Sequence, residues 1–266
     1  MAWDPDHYLR FADQRARPGI ELLARIANID AHRIVDLGCG TGDLTALVAR
    51  RWPESHIVGI DAAPEMIERA RASYPGGTWA VGDITTWMPD APVDVIFSNA
   101  ALHWLDDHPV LFRRLRNHLT SRGVLAVQMP DNWSAPTHRI PAEILDSGDW
   151  PAAARTALLR DRLSPVDEYT RWLQPASVDA WRTTYYHHLT GSDAVWAWVT
   201  GSLLRPVLAN LSPEDREHFS AECRDRYRRA YPVGADGTVT VPFSRLFLVA
   251  QVVQRARPRE PSYSST

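Results

Sequence analysis

The fold of this chain is decided by one stretch, Ile34-Val35-Asp36-Leu37-Gly38-Cys39-Gly40-Thr41-Gly42-Asp43, together with the residues that follow it up to Asp61. The apolar run at its start predicts a buried strand, and the alternating glycines predict a tight turn. Next come apolar residues at helical spacing, and then a second apolar run, Ile57-Val58-Gly59-Ile60, which ends in Asp61. Strand, Gly-rich turn, helix and strand in this order are typical of the first half of a nucleotide-binding α/β sheet.

The same loop indicates which kind of nucleotide it binds. A dinucleotide site uses G-x-G-x-x-G and places the pyrophosphate at the helix N-terminus. Counted from Gly38, the last glycine of that pattern is replaced by Asp43. A carboxylate there would repel pyrophosphate, and we predict instead that Asp43 caps the helix and interacts with its dipole. The loop therefore favours a close-approaching ligand without phosphates, such as S-adenosylmethionine.

Two acidic residues flank the glycines. Asp61 ends the second strand, where it is placed to accept hydrogen bonds from both ribose hydroxyls of such a ligand. Asp36 puts negative charge near the cationic amino acid tail. The alternative is a Gly-rich turn of some other α/β enzyme, in which Asp36 and Asp61 only cap the ends of strands.

The segment Asp36-Leu37-Gly38-Cys39-Gly40-Thr41-Gly42 resembles the first motif of the class I S-adenosylmethionine-dependent methyltransferases. The resemblance implies an α/β fold with a Rossmann-like, doubly wound, mostly parallel seven-stranded sheet. Such a sheet needs fewer residues than the helical, Ala-rich stretch after the fifth strand provides, which predicts a helical insertion or lid. It implies cofactor contacts from Gly38, Gly40 and Gly42, and from Ala62 and Met66 after the second strand. It also implies that Asp83 bonds the adenine amino group and that Ile84 stacks on the ring, although Asp83 could instead cap a turn.

The length and composition of the chain indicate one large domain or a domain with an insertion. The chain has 266 residues, 45% of them apolar, and a net charge of −3, which does not suggest a nucleic-acid partner. Cys39 and Cys223 give neither a disulfide framework nor metal-ligand spacing. No long apolar segment predicts a membrane span or a leader, so we expect a cytoplasmic enzyme without a metal cofactor.

Further apolar runs predict the remaining strands, at residues 78–81, 93–99, 124–129, 178–189 and 239–253. Helices are predicted after Pro18 and Pro64, from Pro109 to Leu119, and from Ser212 to about Arg229. Arg122-Gly123 is predicted as the turn that leads into the fifth strand. We expect one domain over residues 1–254, with a helical insertion at about 136–175, a helical cover at about 191–230, and a disordered tail at 255–266.

The carboxyl ends of parallel strands are where ligands bind in such sheets. Asn99 and Trp104 follow the fourth strand and are therefore candidates for positioning cofactor and substrate. His103 lies beside them and is a candidate general base, although a lone histidine more often has a structural role. At the N-terminus, Tyr8 and Arg17 are candidates for a segment that folds over the cofactor, or for an ordinary surface helix.

The chain also resembles the trans-aconitate 2-methyltransferase family along nearly its whole length, with the weakest match at about 139–164. The matching stretches outside the cofactor core are Tyr8-Leu9, Arg15-Ala16-Arg17-Pro18, Gln128-Met129-Pro130-Asp131-Asn132-Trp133, Trp181-Arg182-Thr183-Thr184-Tyr185-Tyr186-His187, Trp198-Val199-Thr200, Arg205-Pro206 and Arg245-Leu246-Phe247. This resemblance implies a small tricarboxylate as substrate and S-adenosylmethionine as methyl donor.

An ionised carboxylate is itself a nucleophile, so such a reaction needs no general base, and no residue is assigned as one with certainty. Arginine binds carboxylates well through its two-pronged guanidinium. We expect Arg205 to anchor one carboxylate, with Arg17 and Arg245 as lesser candidates. The predicted pocket is completed by Gln128, Asn132, Trp133, Tyr186 and Trp198.

Two other functions are compatible with the sequence. One is a methyltransferase of the same fold that acts on another small acid or on a hydroxyl group, in which case His103 would be the base. The other is a protein that binds S-adenosylmethionine without catalysing transfer. For each single arginine or tryptophan, a surface or core position remains an equally good interpretation.

Overall fold

The computed structural model describes residues 16–158, 162–201 and 203–252. Its strands are β1 (Arg33–Leu37), β2 (His56–Asp61), β3 (Thr78–Val81), β4 (Val93–Asn99), β5 (Leu119–Pro130), β6 (Ser177–Thr190) and β7 (Thr238–Gln251). Its α-helices are α1 (Arg17–Arg25), α2 (Asp43–Arg51), α3 (Pro64–Ser73), α4 (His108–Asn117), α5 (Pro136–Ser147), α6 (Ala152–Leu158), α7 (Val166–Trp172), α8 (Ala194–Thr200), α9 (Arg205–Ala209) and α10 (Pro213–Ala230). A short 3-10 helix spans Leu102–Trp104.

The strands form one sheet in the order β3-β2-β1-β4-β5-β7-β6. Strands β1 to β5 are parallel, whereas β7 is antiparallel to both β5 and β6. The order reverses between β1 and β4, and this switch point is where doubly wound sheets bind ligands. The predicted Rossmann-like, mostly parallel seven-stranded sheet is confirmed.

The Gly-rich turn has backbone angles that favour glycine. Gly38, Gly40 and Gly42 have φ angles of 78°, 55° and 83°, in the left-handed region. Gly42 is the N-cap of α2, so the prediction that Asp43 caps this helix is wrong. Asp43 is the first helical residue, and its carboxylate accepts hydrogen bonds from the Thr41 hydroxyl (2.5 Å) and the Tyr74 hydroxyl (2.9 Å). Its charge still lies at the positive end of the helix dipole.

The fifth strand begins earlier than predicted, and the predicted turn at Arg122-Gly123 lies inside its first, irregular part. Strand β5 already begins at Leu119, which pairs with Val93, and a register shift follows before Val124 pairs with Val95. Gly123 lies in this irregular part of the strand, where a Cβ would be 3.0 Å from the Val93 carbonyl oxygen. That Cβ would also lie 2.9 Å from the Leu119 Cβ, so the chain folds back over these residues, and glycine serves both this turn and the close approach to β4.

The ribbon formed by β6 and β7 extends beyond the rest of the sheet. Strand β5 pairs with β7 only between Arg245 and Gln251, whereas β6 pairs with β7 as far as Thr238. Because β7 is antiparallel to β5, residues 238–244 project past the carboxyl ends of the parallel strands. Val239, Val241 and Phe243 form a core there with residues of α5, α8 and α10.

Helices α5, α6, α8, α9 and α10 thus share a core with this projecting part of the ribbon, over the edge where the site is expected. Helix α7 instead packs against α4, where Tyr169 contacts Phe112. The helices between β5 and β7 fall within the ranges predicted for the insertion and the cover, and the division into these parts stays a prediction. Gln254 and the predicted tail lie outside the described residues. Within the part of the chain that is described, no helix has the length and apolarity needed to cross a membrane.

Candidate active site

The carboxylate of Asp61 joins the loops that follow β1 and β2. Its Oδ2 atom accepts a hydrogen bond from the Gly40 backbone N–H (2.9 Å), and its Oδ1 atom accepts one from Ala63 (2.9 Å). The N–H groups of Gly38 and Cys39 both donate to the Ile60 carbonyl. These bonds fix the Gly-rich turn directly against the tip of β2, with the Asp61 carboxylate between the two loops.

Asp36 lies beneath this turn and is almost completely buried, with 2% of its surface exposed. Its Oδ2 atom accepts a 2.6 Å hydrogen bond from the Thr45 hydroxyl on α2. Burial raises the pKa of Asp36 to about 7, and the nearby negative charge of Asp61 contributes to this shift. A cation bound at the turn would favour the ionised form of Asp36.

The raised pKa of Asp36 predicts a specific pH dependence of stability. Between about pH 4, where an unfolded Asp ionises, and about pH 7, only the folded state retains this proton. The contribution of Asp36 to the free energy of unfolding therefore falls as the pH rises through this window, by up to about 1.4 kcal/mol per pH unit, and levels off above it.

Urea unfolding of the ligand-free protein and of Asp36→Asn at pH 5, 6, 7 and 8 tests this expectation. The wild type is expected to lose stability relative to the variant between pH 5 and pH 7. Parallel curves over this range would show that the Asp36 carboxyl is ionised throughout.

The loop after β3 carries the residues predicted to bind adenine. Asp83 is exposed and accepts a 2.7 Å hydrogen bond from the Thr85 backbone N–H, and its hydrogen bonds with Thr85 lower the pKa of its carboxyl. Ile84 is buried. Arg114 on α4 donates to the carbonyl oxygens of Ile84 (2.5 Å) and Trp87 (3.1 Å), which fixes the loop. After the neighbouring strand β2, Ala62 is exposed and Met66 on α3 is half-buried.

The tip of β4 packs against the Gly-rich turn. A Cβ on Gly38 would lie 2.1 Å from the Ala101 Cβ, so only glycine fits at this position without movement. Ala100, directly after Asn99, has a φ angle of 54°, an uncommon backbone conformation that occurs preferentially at functional sites. His103 and Trp104 follow in the 3-10 helix with ring centroids 4.8 Å apart, and Trp104 is 51% exposed.

Four side chains from four neighbouring strands point to the same face of the sheet at this edge. Asn99 pairs with Gln128, Gln128 with Phe247, and Tyr185 with Phe243, and paired residues share a face. Arg245 lies between Phe243 and Phe247 on β7 and shares their face because alternate residues do. The row is therefore Asn99, Gln128, Arg245 and Tyr185, on the face covered by α1.

Several polar atoms near this row are buried and lack a hydrogen-bond partner within the described residues. They are Asn99 Oδ1, Gln128 Nε2 and, in the segment after β5, Trp133 Nε1. A buried polar atom without a partner costs about 1–3 kcal/mol. Such atoms grouped at the carboxyl edge of the sheet indicate a site that a polar ligand completes.

Arg245 is the charged group of this region. Burial lowers the pKa of its guanidinium to about 10. Its Nη1 atom donates to the Ser244 carbonyl (3.2 Å), and the guanidinium lies 5.6 Å from the centre of the Phe243 ring. Within residues 16–158, 162–201 and 203–252, no carboxylate forms an ion pair with it. A positive charge held in a half-buried position without a counter-ion is suited to binding an anion.

Comparison with known proteins identifies the family. The chain is 43% identical to the trans-aconitate 2-methyltransferase of Escherichia coli O1:K1 / APEC over 251 residues, which cover 94% of this chain and 98% of that protein. It is 44% identical to the trans-aconitate 2-methyltransferase of Methylobacterium nodulans over 254 residues, with the same coverage of 94% and 98%. This chain belongs to the trans-aconitate 2-methyltransferase family.

The fold of this trans-aconitate 2-methyltransferase family member is shared more widely. Residues 34–123 match the model of a methyltransferase domain. A protein of Bacillus halodurans C-125 that is assigned as a methyltransferase superposes with a TM-score of 0.59 at 14% identity, over 89% of this chain and 99% of that one. At this identity the likeness concerns the fold alone.

The other two arginines predicted as carboxylate anchors have different surroundings in this family member. Arg17, at the start of α1, pairs with Glu21 (2.8 Å) and lies over the Tyr185 ring at 5.1 Å. The Tyr185 hydroxyl donates a 2.5 Å hydrogen bond to Glu21. Arg205 is the exposed first residue of α9. Arg245 is thus the most buried of the three candidates, and in the described parts of the chain it combines this burial with the lack of a carboxylate partner, which the exposed Arg205 also lacks.

The remaining residues predicted for the pocket differ in burial and in the strands that they contact. Asn132 is buried, and its Oδ1 atom accepts a 2.7 Å hydrogen bond from the Ser244 N–H, which ties the end of β5 to β7. Trp198 packs on Phe243, with ring centroids 5.3 Å apart. Tyr186 is 64% exposed, on the opposite face of β6 from Tyr185. Tyr8 lies outside the described residues.

The sequence predicts Tyr186 as a pocket residue, whereas in the structure it is the neighbouring Tyr185 that lies on the face of β6 covered by α1. The two faces of β6 could be separated by the alternation of side chains, but the sequence did not indicate which face is covered. His138, which lies close enough to Arg245 to be affected by its charge, was also overlooked. In the described residues, no three or more His, Cys, Asp or Glu side chains are grouped so that they could hold a metal ion.

Proposed function

We propose that this chain transfers the methyl group of S-adenosylmethionine to a carboxylate of trans-aconitate and thereby forms a monomethyl ester. The observation that carries the proposal is the half-buried Arg245 guanidinium, which has no carboxylate partner among the described residues and faces the same side as Asn99. The relatives at 43% and 44% identity bear the name of this activity.

The cofactor half of the proposed site lies over β1, β2 and β4. The backbone of the Gly-rich turn leaves open space at Gly40, where a Cβ would meet no atom within 4 Å. The methionine part would pass there, with Asp36 beneath it as a counter-charge for its cationic groups. Asp61 would accept hydrogen bonds from the ribose, and Asp83 and Ile84 would bind adenine. This arrangement places the methyl group near the tip of β4, beside Asn99.

The substrate half lies over β4, β5 and β7. A carboxylate of trans-aconitate would bind Arg245 through charge-assisted hydrogen bonds, next to the unpartnered amide of Gln128 and the indole N–H of Trp133. Arg205, Trp198 and Tyr186 remain proposed contacts at the outer side of the pocket. Arg17 and Tyr8 would cover it from the N-terminal side.

The reaction balances without an acid or a base from the protein. One oxygen of an ionised carboxylate attacks the methyl carbon and forms the C–O bond. The C–S bond breaks, and its electron pair stays on sulfur, which changes from a cationic sulfonium to a neutral thioether. The rate enhancement then comes from in-line positioning and from exclusion of water. Asn99 and Trp104 are proposed as positioning residues, and His103 is not needed as a base.

The proposal is tested by mass spectrometry of products formed from methyl-labelled S-adenosylmethionine and a panel of tricarboxylates, dicarboxylates and matched alcohols. We expect a single labelled methyl ester with trans-aconitate as the preferred acceptor. Ethers from the alcohols, or a clear preference for another acid, would contradict the proposed substrate. Cofactor binding without transfer to any acceptor would contradict catalysis as a whole.

A further inference from the structure

His138 lies in the first turn of α5 beside the proposed carboxylate site. Its Nδ1 atom is 3.0 Å from the Thr137 hydroxyl oxygen, and its ring packs edge-on against Trp133 at a centroid distance of 5.4 Å. Its Nε2 atom makes no hydrogen bond within the described parts of the chain. If the Thr137 hydroxyl donates to Nδ1, the proton of the neutral ring is on Nε2, which leaves an unused N–H donor.

The turn that carries His138 is held in place by α10. The Tyr227 hydroxyl donates a 2.9 Å hydrogen bond to the Thr137 carbonyl, and the Thr137 N–H donates to the Tyr231 hydroxyl at 3.3 Å. Thr137, Tyr227 and Tyr231 are buried. The imidazole is therefore fixed by a packed helix pair rather than by a mobile loop, which is what a binding group needs for a defined direction.

Among the elements packed around His138, β7 provides the charged side chain that acts on its ring. Arg245 on β7 acts on it electrostatically, whereas α10 faces its turn with tyrosine hydroxyls, and the segment after β5 faces it with the Trp133 indole. Burial lowers the pKa of His138 to about 4, and the positive charge of Arg245 contributes to the shift. The ring is thus neutral near pH 7.

We propose that His138 binds a second carboxylate of the substrate through a hydrogen bond from its neutral Nε2–H, next to the carboxylate that Arg245 binds. The inference rests on the proposed function and adds a residue to it. A neutral donor orients an oxygen without neutralising its charge, so the carboxylate on His138 keeps its nucleophilic character. The carboxylate on Arg245 is neutralised and serves as the anchor. The pair therefore divides the acid groups of the substrate into one that is anchored and one that reacts.

The experiment measures kcat and KM for trans-aconitate at pH 6, 7 and 8 in the wild type, His138→Ala and His138→Gln. His138→Ala removes the donor of a neutral hydrogen bond, so we expect it to raise KM about tenfold. Glutamine offers an uncharged N–H donor, so His138→Gln is expected to stay within about threefold of the wild type. The dissociation constant for S-adenosylmethionine is expected to stay unchanged in both variants.

The pH series separates a neutral donor from a charged one. Because the ring is neutral throughout the range, the ratio of kcat/KM between the wild type and His138→Gln is expected to be the same at pH 6 and pH 8. A ratio that falls as the pH rises would show an imidazolium and overturn the proposal. His56→Gln, an exposed histidine at the start of β2, at the opposite edge of the sheet, is the matched control.

Three other results would also overturn it: an unchanged KM in His138→Ala, an equal rise of KM in His138→Ala and His138→Gln, or a cofactor affinity that falls as the KM for trans-aconitate rises. Should His138→Ala fail to fold, His138→Phe, which keeps a ring but has no N–H donor, takes its place and is expected to raise KM in the same way, whereas His138→Gln is not. Failure of the wild type to methylate trans-aconitate counts against the proposed function. Activity that is insensitive to His138 counts only against this inference.

Discussion

Arg245→Gln is expected to raise the KM for trans-aconitate about 100-fold and to leave the affinity for S-adenosylmethionine unchanged. Truncating one partner of a buried, hydrogen-bonded charge pair costs about 2–5 kcal/mol, and each 1.4 kcal/mol is about tenfold in binding. Arg245 is half-buried with no carboxylate partner among the described residues, so the substrate would be its counter-ion. Steady-state kinetics with either substrate varied, together with calorimetry of cofactor binding, measures the effect.

The same change is expected to leave the ligand-free protein as stable or slightly more stable. A guanidinium that is removed from water and lacks a counter-ion costs free energy in the free protein, and glutamine removes that charge. Activity and stability would thus change in opposite directions, which a structural role for Arg245 would not produce. Arg245→Lys keeps the charge without the two-pronged geometry and is expected to fall between the wild type and Arg245→Gln.

Arg122→Gln is the control, because Arg122 is exposed near the start of β5, away from the carboxyl edge. Arg205→Gln decides between the anchor predicted from the sequence and the one proposed here. If Arg205→Gln raises KM more than Arg245→Gln does, the anchor lies on α9 rather than on β7.

Gly40→Ala is expected to weaken S-adenosylmethionine binding about 100-fold while the protein stays folded. In the ligand-free structure the new methyl group would meet no atom within 4 Å, so the space it enters is the space proposed for the cofactor. Overpacking a well-fitted site costs about 1–3 kcal/mol. The φ angle of 55° adds a strain of about 1 kcal/mol that lowers stability but does not depend on the ligand.

Gly237→Ala provides the matched control for that strain. Gly237 also has a positive φ angle, 76°, and open space at its Cβ, but it lies just before β7, at the far end of the β6–β7 ribbon. Both variants are expected to lose a similar, small amount of stability in thermal unfolding, and only Gly40→Ala to lose cofactor affinity. Equal cofactor affinities in the two would show that the ligand does not pass over Gly40.

Gly38→Ala is expected to behave differently from Gly40→Ala. Its methyl group would lie 2.1 Å from the Ala101 Cβ, so the tip of β4 has to move in the free protein. We expect the melting temperature to fall further than in Gly40→Ala, and cofactor binding to be lost as well. This contrast distinguishes a glycine that fits the loop to its neighbour from one that leaves space for a ligand.

The cofactor half of the site is contiguous in the chain, which is why its fold could be predicted. Turn, helix and strand lie within residues 34–61, and short-range spacing indicates each of them. The sheet followed from the same kind of signal, since each buried strand is an apolar run. Two local predictions were nevertheless wrong: Asp43 is the first residue inside the helix rather than its cap, and the fifth strand begins at Leu119 rather than at Val124.

By itself, then, the sequence determined the α/β sheet, its Gly-rich turn and the acids at the strand tips, because these depend on neighbours within a few residues. Only the tertiary structure decided which arginine is buried without a counter-ion, which of Tyr185 and Tyr186 faces inward, and that His138 lies within electrostatic reach of Arg245. These properties arise where β7 runs back against β5 and its projecting end packs with α5, α6, α8, α9 and α10 over the candidate site. Burial and charge depend on groups more than a hundred residues apart, and no local pattern records such contacts.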